Sequence, residues 1–198
     1  KQTDIINPFQ PYMTLEMDGY SQINRTDYGI SHFYEFTIHD EKKHCIKAVP
    51  DASIDLLFNI GENKVSTYIS GTVFGVKKWE LGTQDDCFGV RFQPGQGILP
   101  KDITMEMIVN DDIEIDGDIF GKNLTEKIAL AKTMSERIDI FKKAYEDIVL
   151  GRSSLSDKEK INEYLVNRIS RTKGMITMRQ LEAVSYTHLR AHETELHL

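Results

Sequence analysis

The sequence predicts an α+β fold: a β-sandwich or barrel of jelly-roll type, followed by helices. Three observations carry that reading. Before Pro94-Gly95, apolar and polar residues alternate in short runs broken by Gly, Asn and Asp, the pattern of half-buried strands joined by turns. After Pro100 the period lengthens, and Ile138, Phe141, Tyr145 and Ile148 fall on one helical stripe. From Ser156 onward two capping boxes, Ser156-x-x-Glu159 and Thr177-x-x-Gln180, stand on either side of Gly174, as where one helix stops and another starts.

Taken in order, residues 12–17 alternate as a first strand ended by Asp18-Gly19. Residues 30–38 form a second, with Ile30, His32, Tyr34, Phe36 and Ile38 on one face. Strands over 45–49 and 54–60 follow, and Gly61-Glu62-Asn63 makes a hairpin-like break. Residues 64–70 alternate again, with Val65, Thr67 and Ile69 on one side. Gly71, Gly75 and Gly82 punctuate short segments around Val73-Phe74 and Trp79, and residues 88–92 close the series. Beyond Pro100, Ile103, Met107 and Ile108 suggest a short helix, and residues 111–118 an acidic linker. Leu124, Ile128 and Leu130 mark a helix capped by Asn123, and Ser135 caps the next. Gly151-Arg152-Ser153-Ser154 reads as a linker. Ile161, Leu165 and Ile169 line the helix after it, Gly174 stops that helix, and the second capping box opens another containing Leu181. Helix, glycine turn, capped helix is how a helix-turn-helix domain begins.

The chain carries 24 Lys and Arg against 31 Asp and Glu, a net charge of −7. From Gly151 onward there are 8 basic and 6 acidic residues, +2, so the preceding part carries −9. An acidic body argues against nucleic-acid contact over the whole chain, because phosphates need a basic face, whereas the mildly basic tail reads as a different module. No run approaches the roughly 18 apolar residues of a membrane span, and no basic, apolar leader is present, so no membrane partner is expected. The chain opens at Lys1, which suggests a trimmed start. Cys45 and Cys87 lack metal or redox spacing and read as free thiols of a reducing cytoplasm.

Residues 49–60 organise the candidate site. Pro50 fixes φ and Asp51 can bond its own backbone, a tight entry into the strand. Ile54, Leu56, Phe58 and Ile60 share one face; Asp55, Leu57 and Asn59 share the other. Asp55 and Asn59 suit the wall of a small polar cavity, or else an edge where they bond neighbouring backbone. Arg91 sits in an otherwise apolar strand, where a charge is costly unless paired. Its partner is expected to be a carboxylate, with Asp55 the obvious internal candidate, or an anionic ligand. His32 and Tyr34 are placed to line a barrel mouth, or to pack as ordinary core or surface groups.

Little supports catalysis. The chain has no Gly-x-Ser-x-Gly elbow, phosphate-cradling loop or Cys/His signature, and Gly95-Gln96-Gly97 reads as a turn. His32, His39 and His44 lack the His-x-His spacing of a cupin metal site. His188 and His192 are four apart, but Leu189 stands where the zincin order needs Glu. No catalytic residue, metal or cofactor is therefore assigned.

Three segments together resemble one known group: residues 49–59, Phe88-Gly89-Val90-Arg91-Phe92-Gln93-Pro94-Gly95, and Asp118-Ile119-Phe120-Gly121 ahead of helices. They are similar to the N-terminal sensor domains of AraC/XylS-type bacterial transcription regulators, a resemblance spanning roughly residues 7–183. Residues 173–183 match the start of that family's DNA-binding domain in style. The resemblance implies a cupin-like sensor domain over 1–121, a helical dimerisation or linker segment over 122–155, and the start of a helix-turn-helix domain over 156–183. It implies an unknown small-molecule effector, with Asp55, Asn59, Arg91, His32 and Tyr34 as candidate ligand-binding residues. It also implies a homodimer, and promoter DNA as partner of the full-length regulator. After Ala183 the pattern departs: Val184-Ser185-Tyr186-Thr187-His188-Leu189-Arg190-Ala191-His192-Glu193-Thr194 resembles translated sequencing-adapter sequence, and 184–198 is read as a non-native tail. Without a recognition helix, this chain is expected to pair with itself but not to bind promoter DNA specifically. A small cupin-type enzyme acting on a sugar or small acid, and an interaction domain with a filled barrel, are the alternative readings.

Overall fold

Period-two alternation builds the main sheet. The structure, a computed structural model, describes residues 8–17, 19–37, 45–80, 86–151 and 157–182. The chain divides into two compact units, Asn7–Gly151 and a second made of Lys1–Ile6 with Arg152–Leu198. In the first unit six antiparallel strands pair in the order β1-β2-β7-β4-β5-β8. They are β1 (Ser21–Asn24), β2 (Ile30–Thr37), β4 (Asp55–Ile60), β5 (Val65–Ser70), β7 (Asp86–Phe92) and β8 (Asp112–Ile115). Strands β3 (Cys45–Ala48) and β6 (Lys77–Glu80) pair separately as a two-stranded ribbon. The fold is thus mixed α+β with a six-stranded antiparallel sheet.

Residues paired across neighbouring strands share a face. One register row is wholly apolar: Ile23, Phe33, Val90, Leu56, Ile69 and Ile113. The adjacent row, on the opposite face, reads Asn24, His32, Arg91, Asp55, Ser70 and Asp112. The first face is the core and the second belongs to the candidate site.

Two helices cover the apolar face, α3 (Leu124–Leu130) and α4 (Met134–Gly151). Ile138, Phe141, Tyr145 and Ile148 all pack against the sheet cluster, so the stripe of α4 is core. The Phe141 ring meets Phe33 and Phe58 edge-on, at centroid distances of 5.9 and 6.2 Å, the geometry the ring quadrupole favours. Up to Gly151 these helices belong to the same unit as the sheet, although the sequence sets off 122–155 as a segment of its own.

Several expectations need correction. Residues 12–17 are not a strand: Pro11 opens helix α1 (Pro11–Glu16) from its first turn, where a missing N–H costs nothing. Met13 and Met17, four apart, pack in one cluster with Tyr34, Phe36 and Cys87. Ile30 does not share a face with His32, because a register shift between them turns Ile30 to the apolar core. The acidic linker contains β8, an edge strand with its acidic residues Asp112 and Glu114 exposed, as suits an edge. Asn123 makes no side-chain cap and is itself left-handed. The cap of α4 is Thr133 rather than Ser135: Glu136 N–H donates to Thr133 Oγ1, and Glu136 Oε2 accepts from Thr133 N–H, each at 3.3 Å. The short helix near Ile103 is α2 (Met105–Ile108).

In the second unit the described part is α5 (Asp157–Arg171), a turn, and helical residues 178–182. Gly174 ends α5 in the left-handed region, φ +76°. The second capping box forms, with Gln180 N–H donating to Thr177 Oγ1 at 3.3 Å and Thr177 N–H to Gln180 Oε1 at 2.9 Å. Ser156, His39, His44, His188, His192 and the 184–198 tail lie outside the described residues.

Phe141 is fully buried between two sheet aromatics, whereas Leu130 is 80% exposed. Phe141→Ala is therefore expected to destabilise the protein by about 3–5 kcal/mol in urea unfolding, against about 0.5 or less for Leu130→Ala. Equal effects of the two substitutions would contradict this core.

Candidate functional site

The turn before β4 brings the site's charges together. Asp51 Oδ1 accepts from Ser53 N–H at 3.2 Å, so the side chain does bond its own turn. Ala52 between them is left-handed, φ +59°, a conformation uncommon for a residue with a Cβ. The kink leaves Asp51 facing the sheet, and Asp55 follows at the start of β4.

Arg91 occupies the register position opposite both His32 and Asp55. Its Nη1 donates to Asp55 Oδ2 at 2.6 Å, and its Nη2 donates to Asp51 Oδ2. Arg91 is buried, at 5% exposure, and its two partners are partly buried, at 15% for Asp55 and 12% for Asp51. Asp51 Oδ2 also accepts from Gln10 Nε2 at 2.9 Å. Gln10 is clamped in turn by Val49, donating to its carbonyl and accepting from its N–H, each at 2.8 Å. The segment entering α1 is thereby tied to the site across about 40 residues of chain.

A cavity of about 90 Å³ opens over this triad. Its floor is the polar face of the sheet, and the β3–β6 ribbon and α1 supply the other walls through Ala48, Trp79 and Met13. Tyr34 reaches it because of Gly89: a Cβ there would stand 2.0 Å from the Tyr34 ring, so only glycine allows the ring to lie across β7. Three buried polar atoms of lining residues have no hydrogen-bond partner among the described residues: Ser53 Oγ, Asp55 Oδ1 and Arg91 Nε. Buried polar atoms are usually satisfied, so three orphans at one cavity mark where a ligand or water would bond.

One guanidinium faces two carboxylates, which leaves one excess negative charge. Burial pushes the Asp55 carboxyl up to about 6; Arg91 opposes this, Asp51 adds to it, and nearby Tyr34 favours the ionised form without completing a geometric hydrogen bond. Because the folded-state value is raised, protonated Asp55 favours the fold. That contribution is full below the ordinary value of 3.8 and is lost as pH rises through about 6. Burial works against the Arg91 charge, but Asp55 and Asp51 outweigh it and its pKa is raised.

Of the five residues singled out in the sequence, the cavity wall contains Tyr34, Asp55 and Arg91. His32 and Asn59 are not among the lining residues. His32 is buried with Nδ1 3.0 Å from Ser31 Oγ. Desolvation, then Arg91, lowers its pKa to about 4, so it is neutral at neutral pH. Asn59 lies two pleats along β4, where its Oδ1 accepts from the buried Cys87 thiol at 3.1 Å. Among the described residues, no group of three or more His, Cys, Asp and Glu is placed to hold a metal ion, and no helix is long and apolar enough to cross a membrane.

Sequence reasoning missed Asp51 as a site residue, along with Ser53, Gln10 and Trp79. The signal for Asp51 was present: a carboxylate four residues before Asp55 across a turn. Gln10 and Trp79 reach the site by long-range packing that no local pattern records.

Arg91→Ala would leave two partly buried carboxylates without their cation. The expected loss is about 3–5 kcal/mol, read as a lower urea midpoint. A parental midpoint would show that the carboxylates do not depend on Arg91.

Residues 28–114 match a family model described as a domain of unknown function (DUF6597). The match runs from just before β2 into β8, and so includes Asp51, Asp55 and Arg91 but not Gln10. No curated protein and no solved structure matches the chain.

Proposed function

We propose that the chain is the signal-sensing and dimerising portion of a cytoplasmic bacterial transcription regulator of AraC/XylS type. In this reading the Asn7–Gly151 unit is a cupin-like sensor whose cavity takes the effector, and α5 begins the helix-turn-helix domain. The observation that carries it is the cavity, whose lining residues Ser53, Asp55 and Arg91 each hold a buried polar atom without a partner. A purely structural ion pair has no need of a pocket beside it. The family resemblance adds support from placement: its first two segments form the neighbouring strands β4 and β7, and the third brings Phe120 into the same core. The Gly174 turn and the Thr177–Gln180 capping box are what a helix-turn-helix opening requires.

At about 90 Å³ the cavity is below the ~300 Å³ at which drug-sized sites begin. The effector is accordingly a molecule of a few heavy atoms. Fusing the chain to a DNA-binding domain that represses a reporter only as a dimer tests the reading. Repression that a small-molecule supplement relieves or deepens is expected, with Gly89→Ala, which displaces Tyr34, blunting the response. A reporter left unrepressed, or repressed without response to any supplement, would count against it.

A further inference from the structure

The charges facing Asp55 narrow the ligand class. Arg91 comes from β7, Asp51 from the turn before β4, and Asp112 lines the cavity from β8. Tyr34 and neutral His32 come from β2, and half-buried Tyr20, its pKa pushed up to about 12 by burial, stacks on Tyr34. Two further cations are not among the lining residues: Lys77 lies 3.7 Å from the centre of Trp79, pairs with Asp111 at 3.8 Å and acts electrostatically on Asp112, and Lys47 lies 4.9 Å from the centre of the Tyr12 ring. The lining therefore has Asp51 and Asp55 against one guanidinium, with a third carboxylate, the exposed Asp112, at its margin.

An anion is a poor fit. Each terminal nitrogen of Arg91 already donates to a carboxylate, which leaves only its Nε–H without an acceptor, and a further negative charge would add to the existing excess. That excess is relieved in one of two ways: a proton on Asp55, or a cation in the cavity. The walls suit the second, because Tyr34, Phe36 and Trp79 supply aromatic surface beside the carboxylates, the combination that holds ammonium groups. Ser53 Oγ, 2% exposed as a residue and without a partner, and Asp55 Oδ1 supply acceptors for N–H donors.

We propose that the cavity binds a small organic cation, an ammonium with a short carbon tail, which takes the place of the proton on Asp55. This deepens the effector-site reading and rests on it. The ammonium sits against Asp55 and Ser53, and the tail lies along the aromatic wall. Since proton and ligand compete for one carboxylate, binding strengthens as pH rises through the Asp55 titration.

Trp79, the only tryptophan of the chain, lines the cavity and reports on it directly. Its fluorescence is followed while the whole chain is titrated with ethylammonium chloride, sodium acetate and acetamide, with potassium chloride matching the ionic strength. Ethylammonium is expected to give a saturable change that potassium chloride does not reproduce, with affinity about tenfold lower near pH 5 than near pH 7, as one competing proton with a pKa of about 6 requires. Asp55→Asn, shown folded by circular dichroism, is expected to lose the response about tenfold or more and to lose its pH dependence. The wild-type pH series stands on its own should that variant not fold. Saturation by acetate or acetamide instead, or an ethylammonium affinity that ignores pH, would overturn the cation while leaving the cavity as an effector site. No saturable response to any probe would overturn both.

Discussion

Arg91, held between Asp55 and Asp51, is the interaction on which the rest of the site depends. It joins β7 to β4 and to the turn before it, and through Asp51 it reaches Gln10 and the entrance to α1. A buried pair of this kind adds little net stability, because desolvation cancels most of the attraction. What it does is fix positions: Arg91 bonds both carboxylates and so keeps them side by side at the cavity. One positive charge cannot neutralise both, and the site is left poised to take up a proton or a cation.

The sheet makes this arrangement possible by keeping its two faces apart. The apolar row Phe33, Val90, Leu56 and Ile69 stands one residue along each strand from the row His32, Arg91, Asp55 and Ser70, so a slip of one residue would exchange them. Phe33, Leu56 and Val90 hold the sheet to α4 while His32, Asp55 and Arg91 lie opposite. The aromatic core then supports the function indirectly, as a rigid backing that sets where the charged row stands. Gly89 contributes by omission, since the absence of a side chain lets Tyr34 cross β7 and close one wall.

Much of this was legible in the sequence, and the reason is local. Residues 54–60 and 88–92 alternate cleanly, so their faces follow from the pleat, and a lone arginine in an apolar strand calls for a carboxylate. The sequence is less informative where two periods fit the same residues. Met13 and Met17 belong to one face of a helix as well as to one face of a strand, and Pro11 decided between them. Ile30 was misplaced because a register shift breaks the alternation without any mark in composition. The strand at 112–115 was hidden by its charges, which stand exposed on an edge. Gln10 and Trp79 were invisible for a different reason: each meets the site through contacts remote in sequence, and only the assembled fold brings them there.

The account turns on Asp55 carrying the excess charge of a buried triad. A carboxyl-carbon NMR titration of Asp55 in the ligand-free chain measures this directly. The account gives a midpoint near 6, well above the ordinary 3.8, because burial and Asp51 outweigh Arg91. A midpoint at or below 3.8 would show that Arg91 already neutralises the site, and would contradict it.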